Sequence, residues 1–170
     1  MLTFEKHNLG ETDETVYLET SEEHRLATVK MAQRCRRSME IISHALDPAV
    51  YDTPDFIEAA RQLALQHRYA RIRILVFEPL TIVKRGHRMI DLMQNLPTYI
   101  EFRKPGFEYD GFNESVFIAD GTGYILRTTA ERYEGTLNFN DKRASSILRH
   151  KFDEMWERSR QDPNLKRVGL

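Results

Sequence analysis

Histidine is the side chain best suited to acid–base and nucleophilic chemistry near neutral pH, and this chain of 170 residues has six of them. They are scattered singly, at His7, His24, His44, His67, His87 and His150. The sequence contains no His-Glu-x-x-His pair, no glycine-rich phosphate loop and no Gly-x-Ser-x-Gly elbow. The single cysteine, Cys35, excludes an internal disulfide and a cysteine-based zinc site. We therefore expect no resident metal and no cofactor.

Polar side chains follow several predicted strands, and His44 and Arg103 are examples. In open α/β sheets, ligands bind outside the carboxyl ends of the strands. Residues that would serve an anion or another ligand at that edge are His44, His87, Arg88, Arg103 and Arg127. Structural roles are open as well, because His87 and Asp91 have the spacing of a helical ion pair and Arg127 has carboxylates nearby in the sequence.

The overall charge gives no sign of a polyanionic partner. Lys plus Arg total 25 against 26 for Asp plus Glu, so the formal net charge is -1. Nucleic acid is not an expected partner on this ground, and any such binding has to be local. A basic cluster in one predicted helix and the turn after it keeps that alternative open, although we expect it to be a solvated helix face. Its members are Arg25, Lys30, Arg34, Arg36 and Arg37.

Length and hydrophobicity predict one domain with a buried core, since 41% of the residues are hydrophobic. No stretch of 18 apolar residues occurs, and the N-terminus lacks a signal-peptide pattern, so we expect no membrane span and a cytoplasmic location. Residues 1–14 are acidic and polar and predict a flexible arm. The domain is expected at 15–160, followed by a C-terminal tail at 161–170.

Hydrophobic patterns predict alternating strands and helices. Thr20 and Glu23 have the spacing of a capping box, and Thr53-Pro54 is a helix start. The segment Asp120-Gly121-Thr122-Gly123 predicts a hairpin turn between two short strands. Predicted strands lie at 15–19, 39–43, 71–77, 99–103, 115–119 and 124–127, and helices lie from residue 20, at 54–67, at 80–96 and from about 140 to 159. In the third helix, Gly86 is expected to face a sheet closely.

This order of elements predicts an α/β fold, with a mixed, mostly parallel sheet and helices on both faces.

The element order and the segment from Asn113 to Gly121 together resemble the phospholipase D superfamily. Each catalytic half of that superfamily carries His-x-Lys-x-x-x-x-Asp on such a strand, and the chain is similar to one half. The resemblance places Asp120 at the aspartate, with Gly121 after it, but Asn113 at the histidine and Ser115 at the lysine. The chain also resembles a group of proteobacterial proteins with this fold, some of which follow an N-acetyltransferase domain. These 170 residues leave no room for that domain.

These two departures predict a loss of catalysis. In the superfamily the histidine forms a phosphoryl-enzyme intermediate and the lysine holds phosphate oxygens. The amide of Asn113 has no nucleophilic nitrogen, and the hydroxyl of Ser115 carries no charge. We therefore predict a catalytically inactive module with a binding or regulatory role. The resemblance also implies a homodimer, because single-copy members pair two chains to complete one site.

Other functions remain open at this stage. One is a phosphodiesterase or hydrolase that uses His44 or His87 as a base outside the family motif. Another is a nucleic-acid-binding module that uses the basic cluster. A protein partner and a phosphate-containing ligand are both compatible with a binding role.

Overall fold

Seven strands form one mixed sheet in a computed structural model of the chain, which describes residues 3–129 and 131–167. The strands are β1 (Val16–Leu18), β2 (Ser38–Ser43), β3 (Arg71–Val76), β4 (Ile100–Arg103), β5 (Ser115–Ala119), β6 (Gly123–Arg127) and β7 (Gly135–Asn138). The helices are α1 (Ser21–Arg34), α2 (Pro48–Tyr51), α3 (Pro54–Gln66), α4 (Pro79–Arg85), α5 (Arg88–Asn95), α6 (Lys142–Glu157) and α7 (Pro163–Arg167). A single turn of 3-10 helix lies at Phe107–Tyr109.

The sheet has the strand order β1-β7-β6-β5-β2-β3-β4. The pairs β2–β3 and β3–β4 are parallel, and the other four neighbouring pairs are antiparallel. The α/β fold and the mixed sheet are therefore confirmed. Five of the seven strands run in one direction, but most neighbours are antiparallel, so the expectation of a mostly parallel sheet is wrong for the pairings.

The antiparallel half arises from short connections. A hairpin joins β5 to β6, and the short loop after β6 returns the chain as β7, a strand that the hydrophobic pattern did not predict. Parallel neighbours need a long crossover, which only the first half of the chain provides. Leu137 of β7 and the adjoining Phe139 are fully buried, so this strand completes the core.

Helices cover both faces of the sheet, as expected. Met39 and Ile41 of β2 belong to the larger core cluster, whose helical side comes from α1, α3 and α5. Ile42 faces the other way and packs with Phe152 and Trp156 of α6 in a second cluster. Alternate residues of one strand thus serve two cores, as in a central strand that is covered on both faces.

The predicted helix at 80–96 is two helices, because the backbone at Gly86 leaves the helical region. Its φ is 80° and its ψ is 148°, a conformation that only glycine adopts readily. A Cβ at this position would meet nothing within 4 Å, so Gly86 does not approach the sheet as expected. Its role is to end α4 so that His87 can cap α5.

The described part of the N-terminal segment packs on the domain. Phe4 is 2% exposed, and its ring contacts those of His7 and Phe139. The backbone N–H of Gly10 donates to the carbonyl of Phe139 at 2.8 Å. The mobility of residues 1–14 and the domain limits at 15 and 160 stay predictions, but residues 3–14 are not a detached arm.

Within residues 3–129 and 131–167, none of the helices combines the length and the apolar character that a membrane crossing requires.

Candidate functional site

Asn113 and Ser115 lie at the edge of the sheet where β2, β3, β4 and β6 end, because β5 runs antiparallel to β2 and β6. Ser115 is 6% exposed and is paired in register with Arg127. Asn113 lies in the exposed loop before β5. The expected edge of the sheet therefore brings Asn113, Ser115 and Arg127 together.

Asp120 directly follows β5, at the other end of the strand from Ser115. Its carboxylate accepts hydrogen bonds from the backbone N–H groups of Arg36, Arg37 and Ser38, at 2.9, 2.7 and 3.1 Å. The thiol of Cys35 donates to the same carboxylate at 3.0 Å. Asp120 thus holds the turn between α1 and β2, and it does not line the edge that carries Asn113.

Arg127 is the buried cation of that edge, with 6% of its surface exposed. Its Nη1 lies 3.4 Å from Oδ2 of Asp47, and its Nε donates to the carbonyl of Arg132 at 2.9 Å. The hydroxyl of Tyr133 donates to the same Asp47 oxygen at 2.8 Å, and the Tyr133 ring lies 4.6 Å from the guanidinium carbon. Asp47, Arg127 and Tyr133 therefore form a closed polar cluster, in which the cation has a carboxylate, a carbonyl and an aromatic face.

Two further groups in this region stay uncharged near neutral pH. His24 is buried and donates from Nε2 to the carbonyl of Tyr133. Burial lowers the pKa of His24 to about 4, and the nearby charge of Arg127 adds to this effect. Burial likewise raises the pKa of Tyr51, which lies near Arg127, Asp47 and Ser115. The cluster therefore carries one ion pair among neutral partners.

The loop after β2 is held by contacts with three other parts of the chain. His44 donates from Nε2 to the carbonyl of Phe112 at 2.8 Å, and its ring stacks on Phe77 at 4.8 Å. Arg85 donates to the carbonyl of Ala45 at 2.6 Å. These contacts fix the loop that carries Asp47.

His87 is 4% exposed and has both ring nitrogens engaged. Nε2 donates to the carbonyl of Leu46 at 3.0 Å, and Nδ1 accepts from the backbone N–H of Met89 at 3.1 Å. The ring is therefore the neutral tautomer that caps α5, and burial lowers its pKa. The ion pair expected with Asp91 is not formed, because the ring faces Leu46 while Asp91 is exposed.

The remaining predicted arginines are directed elsewhere. Arg88 is exposed and lies 3.8 Å from Asp52. Arg103 lies on the α6 side of the sheet, where it pairs with Glu101 at 2.6 Å and covers the ring of Trp156 at 4.3 Å. Of the five residues expected at a ligand site, His44 lies in the loop after β2 and His87 and Arg127 contact that loop, whereas Arg88 and Arg103 pair with other carboxylates.

Sequence reasoning missed Tyr133 and His24 as members of this region. Tyr133 belongs to no sequence motif, and His24 falls in the first turn of α1 with no distinctive spacing. Only the pairing of β1 with β7 brings α1 and the loop before β7 together. Asp47 is the one member of the cluster that the sequence could have indicated. A capping residue directly before Pro48 predicts that a helix starts there, at the sheet edge.

This arrangement has the chemistry of a structural cluster. The carboxylate, the hydroxyl and the two imidazoles are engaged in hydrogen bonds, and Ser115 has no histidine in the position of a general base among the contacts of the described residues. The described residues also contain no group of three or more His, Cys, Asp or Glu side chains placed to hold a metal ion.

Comparison with solved structures defines the fold. NucT from Helicobacter pylori matches with a TM-score of 0.63 at 14% identity, over 88% of this chain and 99% of that chain. Nuc from Salmonella typhimurium, a phospholipase D family member, matches with a TM-score of 0.59 at 16% identity, over 88% and 99% of the two chains. The fold of this chain is therefore phospholipase D-like.

A third match is TrmBL2, an archaeal chromatin protein whose structure shows a novel mode of DNA binding, with a TM-score of 0.62 at 17% identity. It covers 89% of this chain but 55% of that one, so the chain spans about half the length of TrmBL2.

The sequence itself defines a family. Residues 20–168 match the model of the family described as Domain of unknown function (DUF7931), and the chain belongs to that family. A comparison with curated proteins gives no match.

Proposed function

We propose that this domain is a binding or regulatory module that uses a phospholipase D-like scaffold without catalysing phosphoryl transfer. The carrying observation is the pair Asn113 and Ser115 at the sheet edge where the superfamily's histidine and lysine are expected. An amide cannot form a phosphoryl-enzyme intermediate, and a neutral hydroxyl cannot replace an ammonium group at the transition state.

The neighbours of Ser115 support the proposal. Arg127 could otherwise bind a phosphate, but its guanidinium is packed on Tyr133 and faces Asp47. Removing that carboxylate from a buried cation is costly, so the cluster stabilises the fold rather than holding a vacant anion site. A protein partner or another ligand at the exposed loop around Asn113 is compatible with this arrangement.

Hydrolysis by an alternative base receives less support. The ring of His87 is the cap of α5, and the ring of His44 is stacked on Phe77 while Nε2 donates to a carbonyl. Neither ring lies near Asp120, which is at the other end of β5.

Hydrolysis of bis(p-nitrophenyl) phosphate tests the proposal. The wild-type protein is expected to show no turnover above the buffer rate, and so are the variants Ser115→Ala, His44→Ala and His87→Asn. Turnover by the wild type that any of these variants abolishes, while its circular dichroism spectrum is unchanged, would overturn the proposal.

A homodimer is part of the same proposal, because single-copy relatives complete their site with a second chain. Multi-angle light scattering at micromolar concentration is expected to give the mass of two chains, twice 20.0 kDa. The mass of a single chain would contradict the proposed dimer but not the proposed non-catalytic role.

A further inference from the structure

A second polar cleft lies at the end of the sheet opposite to Asn113. It has a volume of about 580 Å³, its floor is formed by β2 and β3, and its wall is formed by α6. Four arginines line it, namely Arg37, Arg71, Arg73 and Arg149. The motif residue Asp120 lies in its lining, but the proposed function assigns no role to this cleft.

A buried carboxylate lies under the cleft. The side chain of Glu40 is 0% exposed, and its two oxygens lie 3.6 Å from Arg73 and 3.6 Å from Arg149. Neither oxygen accepts a hydrogen bond from the described residues, and the nearby hydroxyl of Ser38 also has no partner among them. Buried polar atoms of native proteins are nearly always hydrogen-bonded, so these acceptor oxygens beside a cleft indicate ordered water that donates to them.

Glu40 also keeps two cations together. Arg73 donates to Asp153 at 2.9 Å, and its guanidinium lies 4.9 Å from the centre of the Phe152 ring. Arg149 is 41% exposed. Because the carboxylate lies between them, both guanidinium groups remain at the cleft instead of separating by repulsion.

Two other arginines have no carboxylate. Among the described residues, the side chains of Arg37 and Arg71 make no ion pair and no hydrogen bond, and both residues are exposed. The backbone N–H of Arg71 donates to the carbonyl of Arg37 at 3.1 Å, so the two residues are neighbours. Asp120 also lines the cleft, but its oxygens accept from backbone N–H groups and it makes no ion pair with either arginine among the described residues. The cleft therefore has an unpaired cationic rim.

An aromatic platform adjoins that rim. Tyr69 is 83% exposed, and the guanidinium of Arg68 lies 5.5 Å from its ring centre. A large aromatic ring this exposed beside a polar cleft is suited to stacking with a planar group, such as a nucleobase. The cationic surface continues into an adjoining cleft lined by Arg36 and Lys142, which shares Arg37 and Asp120 with the first. Arginines and carboxylates are equal in number in the lining of the first cleft, so its cationic character is limited to the unpaired side chains of Arg37 and Arg71 on the rim.

We propose that this cleft binds the phosphate group of a nucleotide through Arg37 and Arg71, with the base stacked on Tyr69. The phosphate could belong to a free nucleotide or to single-stranded nucleic acid, since both present the same chemistry. The proposal does not depend on whether the domain hydrolyses phosphodiesters.

Binding experiments on the full chain distinguish the two sources. One arm measures the anisotropy of a fluorescein-labelled oligothymidine, and the other measures binding of AMP by titration calorimetry. Tighter binding of the oligonucleotide identifies the single strand as the ligand, whereas equal or tighter binding of AMP identifies a mononucleotide. Absence of binding in both arms would overturn the proposal.

Variants locate the site. Arg37→Ala/Arg71→Ala is expected to weaken binding at least about tenfold and to lower the salt dependence of log K by about 1 to 2 units. The matched control is Arg61→Ala/Arg132→Ala, which removes the same charge from two arginines that pair with Glu58 and Glu134 outside the cleft. An equal loss of affinity in both double variants would show non-specific charge attraction and overturn the proposal.

Two single variants test the chemistry of recognition. Tyr69→Ala removes the stacking ring and is expected to weaken binding of the oligonucleotide several-fold. It should not change the stability of the protein, because the side chain is exposed. Glu157→Gln removes an exposed carboxylate that lines the cleft, so it is expected to tighten binding. If neither change alters the affinity, the ligand does not occupy this cleft and the proposal fails.

Discussion

The backbone N–H of Arg37 donates to Oδ1 of Asp120 at 2.7 Å, a contact between residues 83 positions apart in the sequence. The neighbouring N–H groups of Arg36 and Ser38 donate to the same carboxylate. A carboxylate that satisfies three backbone donors stabilises a turn in the same way as a helix cap. This contact gives Asp120 a structural function that does not require a histidine at position 113 or a lysine at position 115.

Asp120→Ala is expected to destabilise the domain by roughly 2 to 3 kcal/mol, because several backbone donors lose their acceptor. The variant also places alanine at a φ of 56°, where a β-carbon is strained. Asp120→Asn is the control, because asparagine tolerates this φ and keeps one oxygen acceptor. Urea denaturation measures the stability of both variants. A loss of stability in Asp120→Asn as large as that in Asp120→Ala would contradict this role of Asp120.

The thiol of Cys35 is expected to be unreactive in the folded protein. Burial raises the pKa of Cys35, and the charge of Asp120 raises it further. Since the thiolate is the reactive form, labelling by Ellman's reagent at pH 8 is expected to require unfolding. Asp120→Asn removes the negative charge and is expected to increase the labelling rate, and a fast reaction of the native wild type would contradict this prediction.

The sequence predicts most of the elements because their signals are local. The capping box of Thr20 and Glu23, the turn at Asp120 and the buried stripe of α3 are each determined within a few residues. The strand β7 was missed because its four residues include glycine and few apolar side chains, so its pairing with β1 and β6 defines it. The break at Gly86 was missed because glycine is also tolerated within a helix.

The composition of the site is less predictable than the fold. The position of Asn113 and Ser115 at one edge follows from the strand pattern, but the partners of Arg127 come from the loops at 47 and 133. The pair of Glu40 with Arg73 and Arg149 was also missed, although β2 and β3 were predicted as neighbours in chain order. From the sequence alone, a carboxylate such as Glu40 within an apolar strand suggests an exposed edge strand. Its burial becomes evident only when the helix that covers it, α6, is placed.

Asp47→Asn is expected to destabilise the domain by about 2 to 4 kcal/mol, because it removes the carboxylate that faces the buried guanidinium of Arg127. Tyr133→Phe removes only the hydroxyl that donates to Asp47, and its cost is expected near 1 kcal/mol. Thermal denaturation compares the two variants with the wild type. Equal costs would show that the ion pair adds nothing beyond a neutral hydrogen bond.

Protonation of His24 is expected to destabilise the fold in acid. The pKa of His24 is about 4 in the folded protein against 6.5 for the unperturbed group, so the unfolded state binds more protons between these values. The stability due to neutral His24 is complete above pH 6.5 and is lost as the pH falls towards 4, by about 3 kcal/mol in total. Urea unfolding at several pH values between pH 4.5 and 7.5 measures this slope.

The control for that experiment is His24→Gln, which keeps an N–H donor for the carbonyl of Tyr133 but cannot be protonated in this range. Subtracting its pH profile of stability from that of the wild type isolates the contribution of His24, because other groups such as Glu40 are present in both proteins. An unchanged slope in His24→Gln would contradict the assignment.

Gly86→Ala is expected to cost roughly 1 to 3 kcal/mol, although a methyl group at this position has open space around it. The cost arises from the backbone, because φ is 80° and ψ is 148° at the end of α4. Lys84→Ala is the matched control, since Lys84 is exposed in α4 and its replacement should change stability by less than about 0.5 kcal/mol. Denaturation of both variants separates strain at the break from loss of helix stability. If Gly86→Ala were as stable as the wild type, residues 80–96 would tolerate a continuous helix, and the capping of α5 by His87 would not be needed.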